Sequence, residues 1–305
     1  MNGLTAKACR GIVEEAKLLC ANSAVVVSLM HTICGAALIA MFVLLSGSFM
    51  DSVKVDLGLC HYSESLSPLS TQWLPMPMNT VVNVGYVAVG IYWILRVHSH
   101  LTNGSMSVDE AYLMYMFSWM LVLYGPVQLV RIVTHWRVAG ILDQWYTLPI
   151  FAWTGISCRE IGRTSGTLDV LSVSLIITAS IASYGLALLH SRGFEVALGA
   201  HICGVVAQAW CVHRRSSADT EVDRQRRWAA FSRAVVCCAG FVSLKLADWH
   251  LVRLLPIPFA VLSGHFWSKI ADFMQAHYAC QFLEAALPTT RLHSEAKSVF
   301  HHKHK

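Results

Sequence analysis

The feature that most constrains this chain is a series of apolar runs separated by short polar segments. Each run is close to the roughly 20 residues that cross a bilayer as helix. In hydrocarbon every backbone N–H and C=O must find its partner inside the protein, which is why such runs read as membrane helices. Eight of them stand out, at 25–45, 76–95, 111–133, 142–157, 168–189, 195–212, 229–248 and 260–283. Composition agrees: 13% of residues are charged and 55% hydrophobic, against about a quarter charged in a soluble domain. The fold expected is an all-α membrane protein, an N-terminal anchor helix followed by a seven-transmembrane-helix bundle.

The boundaries follow from the polar segments. Residues 1–23 carry Lys7, Arg10 and Lys17 and form a polar leader. Ser46-Gly47-Ser48 offers small residues for signal cleavage after 25–45, but the leader is long for a signal peptide and the run spans a full bilayer, so an uncleaved anchor at 24–45 is expected. Residues 46–75 make a serine- and proline-rich loop, 76–284 the seven-helix core, and 285–305 a polar tail. Within the third run Gly125-Pro126 is expected to interrupt the helix. The ten cysteines are dispersed through apolar runs without a CxxC pair and read as small buried hydrophobes. No repeat of fixed period and no heptad region is present.

Counting Lys and Arg on alternate sides of eight spans places fifteen on one side and four on the other, with Arg131, Arg233, Lys245 and Lys269 inside spans. Basic residues concentrate on the cytoplasmic side, so both termini are expected there. The basic residues lie in loops beside membrane segments, where they set topology; a nucleic-acid partner is not implied. Asn103-Gly104-Ser105, the one N-x-S/T sequon, falls on the cytoplasmic side and is expected to be unmodified.

Ionisable groups at membrane depth are expensive and usually face the protein interior or a water-filled cavity. With the directions assigned, Asn79, Asn83, Gln128, Arg131, Asp143, Lys245, Asp248, His265, Lys269 and Asp272 all fall in the exoplasmic half, as do Glu195 and His201. Lys245 and Asp248 share a helix face by their three-residue spacing, and so do His265, Lys269 and Asp272 at i, i+4 and i+7. His265 and Asp272 with Asp143 and Asp248 have the donor types to bind a divalent cation or activate a water. The same set can instead neutralise itself, with Arg131 on Asp143, as a packed network holding the bundle together. Trp119, Trp153 and Trp267 read as packing or interface anchors, and His301, His302 and His304 as a solvated tail.

The segments YGPVQ (124–128), LDQWYTLPIFAW (142–153), SYGLALLH (183–190), GFEVALGAH (193–201), GFVSLKLAD (240–248) and GHFWSKIAD (264–272) resemble the transmembrane protein 187 family of vertebrate multi-pass proteins over roughly residues 46–285. That resemblance brings no activity with it. A more distant one does: Asn79-Thr80 with Asn83, Leu142-Asp143-Gln144 with Pro149, residues 244–248 and residues 265–269 are similar, in the same order, to four elements of the alkaline ceramidases. Their superfamily, which includes the adiponectin receptors, is built on a seven-helix core that holds zinc by three histidines, with a serine and an aspartate assisting the bound water. The resemblance places Asp143 at the aspartate and His265 at one histidine, so these two are the catalytic candidates. Lys269 stands at a second histidine's place, and Gln128 and Ile132 stand near those of the serine and the third.

Two of three zinc ligands are thus absent, and His265 is the one candidate metal ligand left. His135 lies three residues past Ile132, beyond the end of its span, and is not expected to compensate. A lysine ammonium against the remaining aspartates can replace the charge of a metal. The function expected is that of a non-catalytic, metal-depleted relative of these hydrolases and receptors, without a cofactor, set in the lipid bilayer, whose polar pocket opens on the exoplasmic side and either binds a lipid-like small molecule or merely ties the bundle together. A metal-dependent lipid amide or ester hydrolase, with zinc retained in an altered site, and an ion- or proton-coupled transporter relaying through Asp143, Asp248 and Lys269 are the alternatives.

Overall fold

The computed structural model describes residues 2–55, 64, 69–71, 74, 76–163, 168–215 and 220–287. The tail histidines 301, 302 and 304, and most of the serine-rich part of the 46–75 loop, lie outside the described residues. Among the described residues every regular element is helical: α1 (Asn2–Leu45), a short 3₁₀ turn (Gly47–Ser52), α2 (Pro77–Val81), α3 (Val84–Thr102), α4 (Val108–Thr134), α5 (Arg137–Ile161), α6 (Val170–Ser183), α7 (Leu186–Leu189), α8 (Gly193–Arg215), α9 (Glu221–Leu254), α10 (Pro256–Val261) and α11 (Gly264–Ala286).

Six stretches are long and apolar enough to cross a membrane: Leu18–Leu45, Pro77–Thr102, Val108–Thr134, Val170–Leu189, Gly193–Arg215 and Glu221–Leu254. The chain is an integral membrane protein of several spans. Two of the eight expected spans, α5 and α11, are long enough to cross but fall outside this apolar class. The reason is visible in their packing. α5 is buried along most of its length, with neighbours in α1, α4, α6, α8 and α11. α11 buries His265, Lys269 and Asp272 against the bundle. Helices that face protein on most sides can carry polar groups that a lipid-facing helix cannot.

Several expected boundaries shift. α1 continues without a break through the leader into the anchor segment. α9 begins eight residues before the expected start of its run and ends six after it. The fifth run bends at Tyr184-Gly185 between α6 and α7. The interruption expected at Gly125-Pro126 is absent, since α4 runs straight through it. Gly125 serves another purpose: a Cβ there would come within 2.8 Å of Val87 Cγ2 and 3.0 Å of the Asn83 carbonyl oxygen. The glycine lets α4 lie directly on the junction of α2 and α3, where the real break in helix occurs.

α3 pairs with α4, α5 with α8, and α9 with α11; α11 also reaches α3 and α5, and α1 lies outside against α4. At the end of the bundle where α3 and α11 finish, the Glu284 carboxylate accepts from Arg96 Nε at 2.6 Å and Nη2 at 3.0 Å and from Arg226 Nη2 at 3.3 Å, with His100 Nε2 2.8 Å away. One acid therefore ties α3, α9 and α11. Trp153, on α5, donates Nε1–H to the Leu113 carbonyl at 2.8 Å, and Trp119 to that of Val25 at 3.3 Å, while Trp267 is 43% exposed. The first two are packing residues, as read from sequence.

Close helix approach also depends on Gly90, whose missing Cβ would lie 2.6 Å from the Ser118 carbonyl oxygen and from Val122 Cγ2 of α4. At Gly204 of α8 nothing lies within 4 Å of that position. Gly90→Ala is expected to cost about 1–3 kcal/mol through overpacking, whereas Gly204→Ala changes stability by under about 1 kcal/mol, in the favourable direction. Thermal midpoints of the two variants in one detergent check the difference.

Candidate functional site

The polar residues singled out in the sequence converge at the other end of the bundle, around one carboxylate. Asp143 sits in the first turns of α5, just after the tight connection in which His135 ends α4 in the left-handed conformation (φ 50°). That reversal brings the last turns of α4 back over the first turns of α5. Arg131 Nη1 donates to Asp143 Oδ2, and Gln128 Nε2 donates to Oδ1. Tyr124 Oη donates to the same Oδ1 at 2.8 Å and lies 3.0 Å from Thr147 Oγ1, which itself donates to the Asp143 carbonyl at 2.7 Å. Arg131, Asp143, Gln128 and Tyr124 are all buried.

Lys269 lies across from this carboxylate without pairing to it. Its Nζ is 5.8 Å from the ring centre of Tyr86 and 5.7 Å from that of Tyr124. The two rings meet edge to face with centres 5.1 Å apart. The negative faces of aromatic rings attract a cation, and more so away from water. Tyr86 Oη donates to Asp272 Oδ2 at 2.6 Å, one turn along α11 from Lys269. Lys245 reaches the same space from α9, with its Nζ 5.9 Å from the Phe241 ring.

The remaining polar residues close helix ends. Asp248 Oδ1 accepts the His265 backbone N–H at 3.3 Å, and Ser263 Oγ accepts that of Phe266 at 3.1 Å, so both cap α11. Gly264 makes room for this, because a Cβ there would stand 2.6 Å from Asp248 Oδ1. Asn79 Nδ2 donates to Ser263 Oγ at 3.0 Å, and Asn83 Nδ2 to the Asn79 carbonyl at 2.7 Å. Glu64, from the loop before α2, accepts the backbone N–H groups of Met78 at 2.8 Å and Asn79 at 2.6 Å. Burial holds its carboxyl above the usual carboxylate range, against the opposing pull of those two N–H groups.

A cavity of about 500 Å³ opens among α4, α5, α8, α9 and α11, with Arg131, Asp143, Lys245, Asp248 and Lys269 in its wall. Tyr124, Thr147 and Ile202 belong to this wall and also to that of a second, narrow apolar cleft of about 70 Å³ running deeper between the helices. Among the described residues no group of three or more His, Cys, Asp or Glu side chains comes together to hold a metal ion.

Of the residues read from sequence, Gln128, Arg131 and Asp143 form one cluster, Lys245, Asp248 and Lys269 line the cavity, Asp272 lines the deeper cleft, and Asn79, Asn83 and His265 lie outside both walls. His201 does not join the cluster: its Nε2 pairs with Ser180 Oγ of α6 at 2.8 Å. Glu195 is exposed and lines the cavity on the side of Lys245, whose charge it favours. Missed were Tyr86, Tyr124, Thr147, Ser263 and Glu64. Spacing could have found the first three: Tyr124 stands four residues before Gln128, Thr147 four after Asp143, and Tyr86 three after Asn83, each on the face of a residue already singled out.

The sequence profile described as the TMEM187 protein family matches residues 28–284. Human transmembrane protein 187 is 43% identical over 233 residues, covering 76% of this chain and 83% of the human protein. Its bovine counterpart is 39% identical over 242 residues, covering 76% of this chain and 87% of the bovine protein. No solved structure matches.

Removing one member of a buried ion pair costs about 3–5 kcal/mol, because the other is left charged and dry. Arg131→Met is expected to show a loss of that size, read as a lowered unfolding midpoint in detergent. Arg131→Met combined with Asp143→Leu removes both charges and is expected to recover at least half of it. A double variant no more stable than the single would show that the pair is not what joins α4 to α5.

Proposed function

The chain belongs to the TMEM187 protein family, and because it joins a polar chamber to an apolar cleft we propose that it is a non-catalytic membrane protein that binds a lipid-like amphiphile. The observation that carries this reading is the shared wall at Tyr124, Thr147 and Ile202. An amphiphile can lay its polar head beside Arg131, Asp143, Lys245 and Lys269 and its chain against the apolar side chains beyond them. Ligand sites are mostly apolar concavities of roughly 300–1,000 Å³ with a few placed polar groups, and the chamber falls within that range.

In the same reading the chain is an anchor helix (24–45) with a cytoplasmic leader (1–23), an exoplasmic loop (46–75), a seven-helix core (76–284) and a cytoplasmic tail (285–305). The support is the excess of Lys and Arg on one side. The chamber then opens on the exoplasmic side. The similarity of four sequence elements to the alkaline ceramidases gives the core a relative whose site holds zinc, but the donors here do not fit that metal. Lys269 is a cation between two tyrosines, Gln128 and Arg131 are committed to Asp143, and Ile132 is apolar. A zinc ion needs three protein donors of His, Cys or carboxylate type. Asp143, which would assist a bound water in a hydrolase, instead neutralises Arg131, and this supports binding over hydrolysis.

Extraction of lipid from the purified protein, followed by mass spectrometry, is expected to find an amphiphile retained in stoichiometric amount. Lys269→Met should change which lipid is retained while the unfolding midpoint stays within a few degrees. A variant that only loses stability would make the cluster a scaffold. Stoichiometric zinc that disappears on His265→Ala would overturn this reading in favour of a hydrolase, and ion-dependent flux in proteoliposomes would favour a transporter.

A further inference from the structure

Arg131, Lys245 and Lys269 line the chamber with Asp143, Glu195 and Asp248, so its charges balance in number, but its hydrogen bonds do not. Asp143 is occupied by Arg131, Gln128 and Tyr124, Asp272 by Tyr86, and Asp248 by the first turn of α11. Among the described residues neither Lys245 nor Lys269 has a carboxylate within 4.0 Å. Both line the chamber, and Lys269 is only 2% exposed. The Lys269 ammonium lies over two ring faces in the chamber wall, in the field of Asp143 and Asp272 but beyond 4.0 Å of either, so a ligand oxygen can take up donors that the rings do not satisfy.

The openings set the rest. The deep cleft, walled by Phe117, Leu121, Ile150, Phe151, Val205 and Val235, has about 70 Å³ of free space, room for about five carbons of one chain and none for a second. Leu246 and Trp249 of α9 belong to the chamber wall and are 73% and 45% exposed. Opposite them on α8 stands Gly199, also in the wall, with nothing within 4 Å of its absent Cβ. Besides its exoplasmic mouth, the chamber is therefore open sideways, between α8 and α9.

We propose that the chamber takes a single-chain amphiphile with an anionic head, a carboxylate or a phosphate, which Lys269 and Lys245 bind while part of the chain reaches into the cleft, and that the ligand arrives from the bilayer between α8 and α9. This rests on the amphiphile-binding reading above and narrows it to one charge class and one route.

The test uses the full chain in neutral detergent with four probes: palmitate, oleoyl lysophosphatidate, monooleoylglycerol and inorganic phosphate, with binding read by native mass spectrometry. The two anionic amphiphiles are expected to bind about tenfold or more tighter than the neutral one, as a charge-assisted hydrogen bond allows. Lys245→Gln, on a half-buried side chain, should erase most of that preference. Gly199→Phe should block binding of all three amphiphiles with an unchanged unfolding midpoint. Monooleoylglycerol bound as tightly as the anions, with Lys245→Gln without effect, overturns the anionic head and leaves amphiphile binding intact. Inorganic phosphate bound as tightly as the amphiphiles makes the chamber a free-anion site and overturns the proposal. Gly199→Phe protein that binds normally overturns the lateral route. If none of the three amphiphiles binds, the broader reading goes as well.

Discussion

Everything at the polar end of this bundle depends on the cost of taking Asp143 out of water. A carboxylate at that depth is tolerable only if its oxygens are filled, and α4 fills them from a single face, with Tyr124, Gln128 and Arg131 at four- and three-residue spacing. The left-handed residue at His135 makes this possible. It turns the chain within a few residues, so the end of α4 and the start of α5 face each other in antiparallel register. The interaction is thus both the result of a local turn and the reason the two helices cannot slide past one another.

From that pair the charge pattern spreads outward in layers. The tyrosine that donates to Asp143 also offers its ring to Lys269, and the second ring around that lysine belongs to the tyrosine that donates to Asp272. Each tyrosine thus separates an ammonium from a carboxylate that would otherwise neutralise it. Direct pairing of Lys269 with either acid would satisfy the electrostatics and close the chamber. The two hydroxyls keep the acids engaged and the space open.

Much of this was legible in the sequence, because burial of charge in a lipid-soluble chain has few solutions. The apolar runs, the gathering of polar residues at one end and the pairing of Arg131 with Asp143 all follow from that constraint. What escaped was whatever looks alike in a polar and an apolar setting. Tyr86 and Tyr124 pass as ordinary core aromatics, and Asp248 as a ligand rather than a cap, since a capping role depends on which helix happens to begin nearby. Gly125-Pro126 reads as a break by composition, yet the neighbouring backbone at Asn83 needs the glycine for contact and α4 stays whole. Glu64 was hidden for the same reason, its role set by a helix start fourteen residues away.

The fastening of the helices is unequal across the molecule. Glu284 laces α3, α9 and α11 together at the end opposite the chamber, while α8 is held by its packing on α5 and by His201 on α6. α4 packs on both α3 and α5 and carries Arg131 to Asp143, so it joins these two groups of helices at the chamber end. α8 and α9 meet far less closely than α8 meets α5 or α9 meets α11, and the chamber wall between them is therefore the part of the bundle with the fewest fastenings.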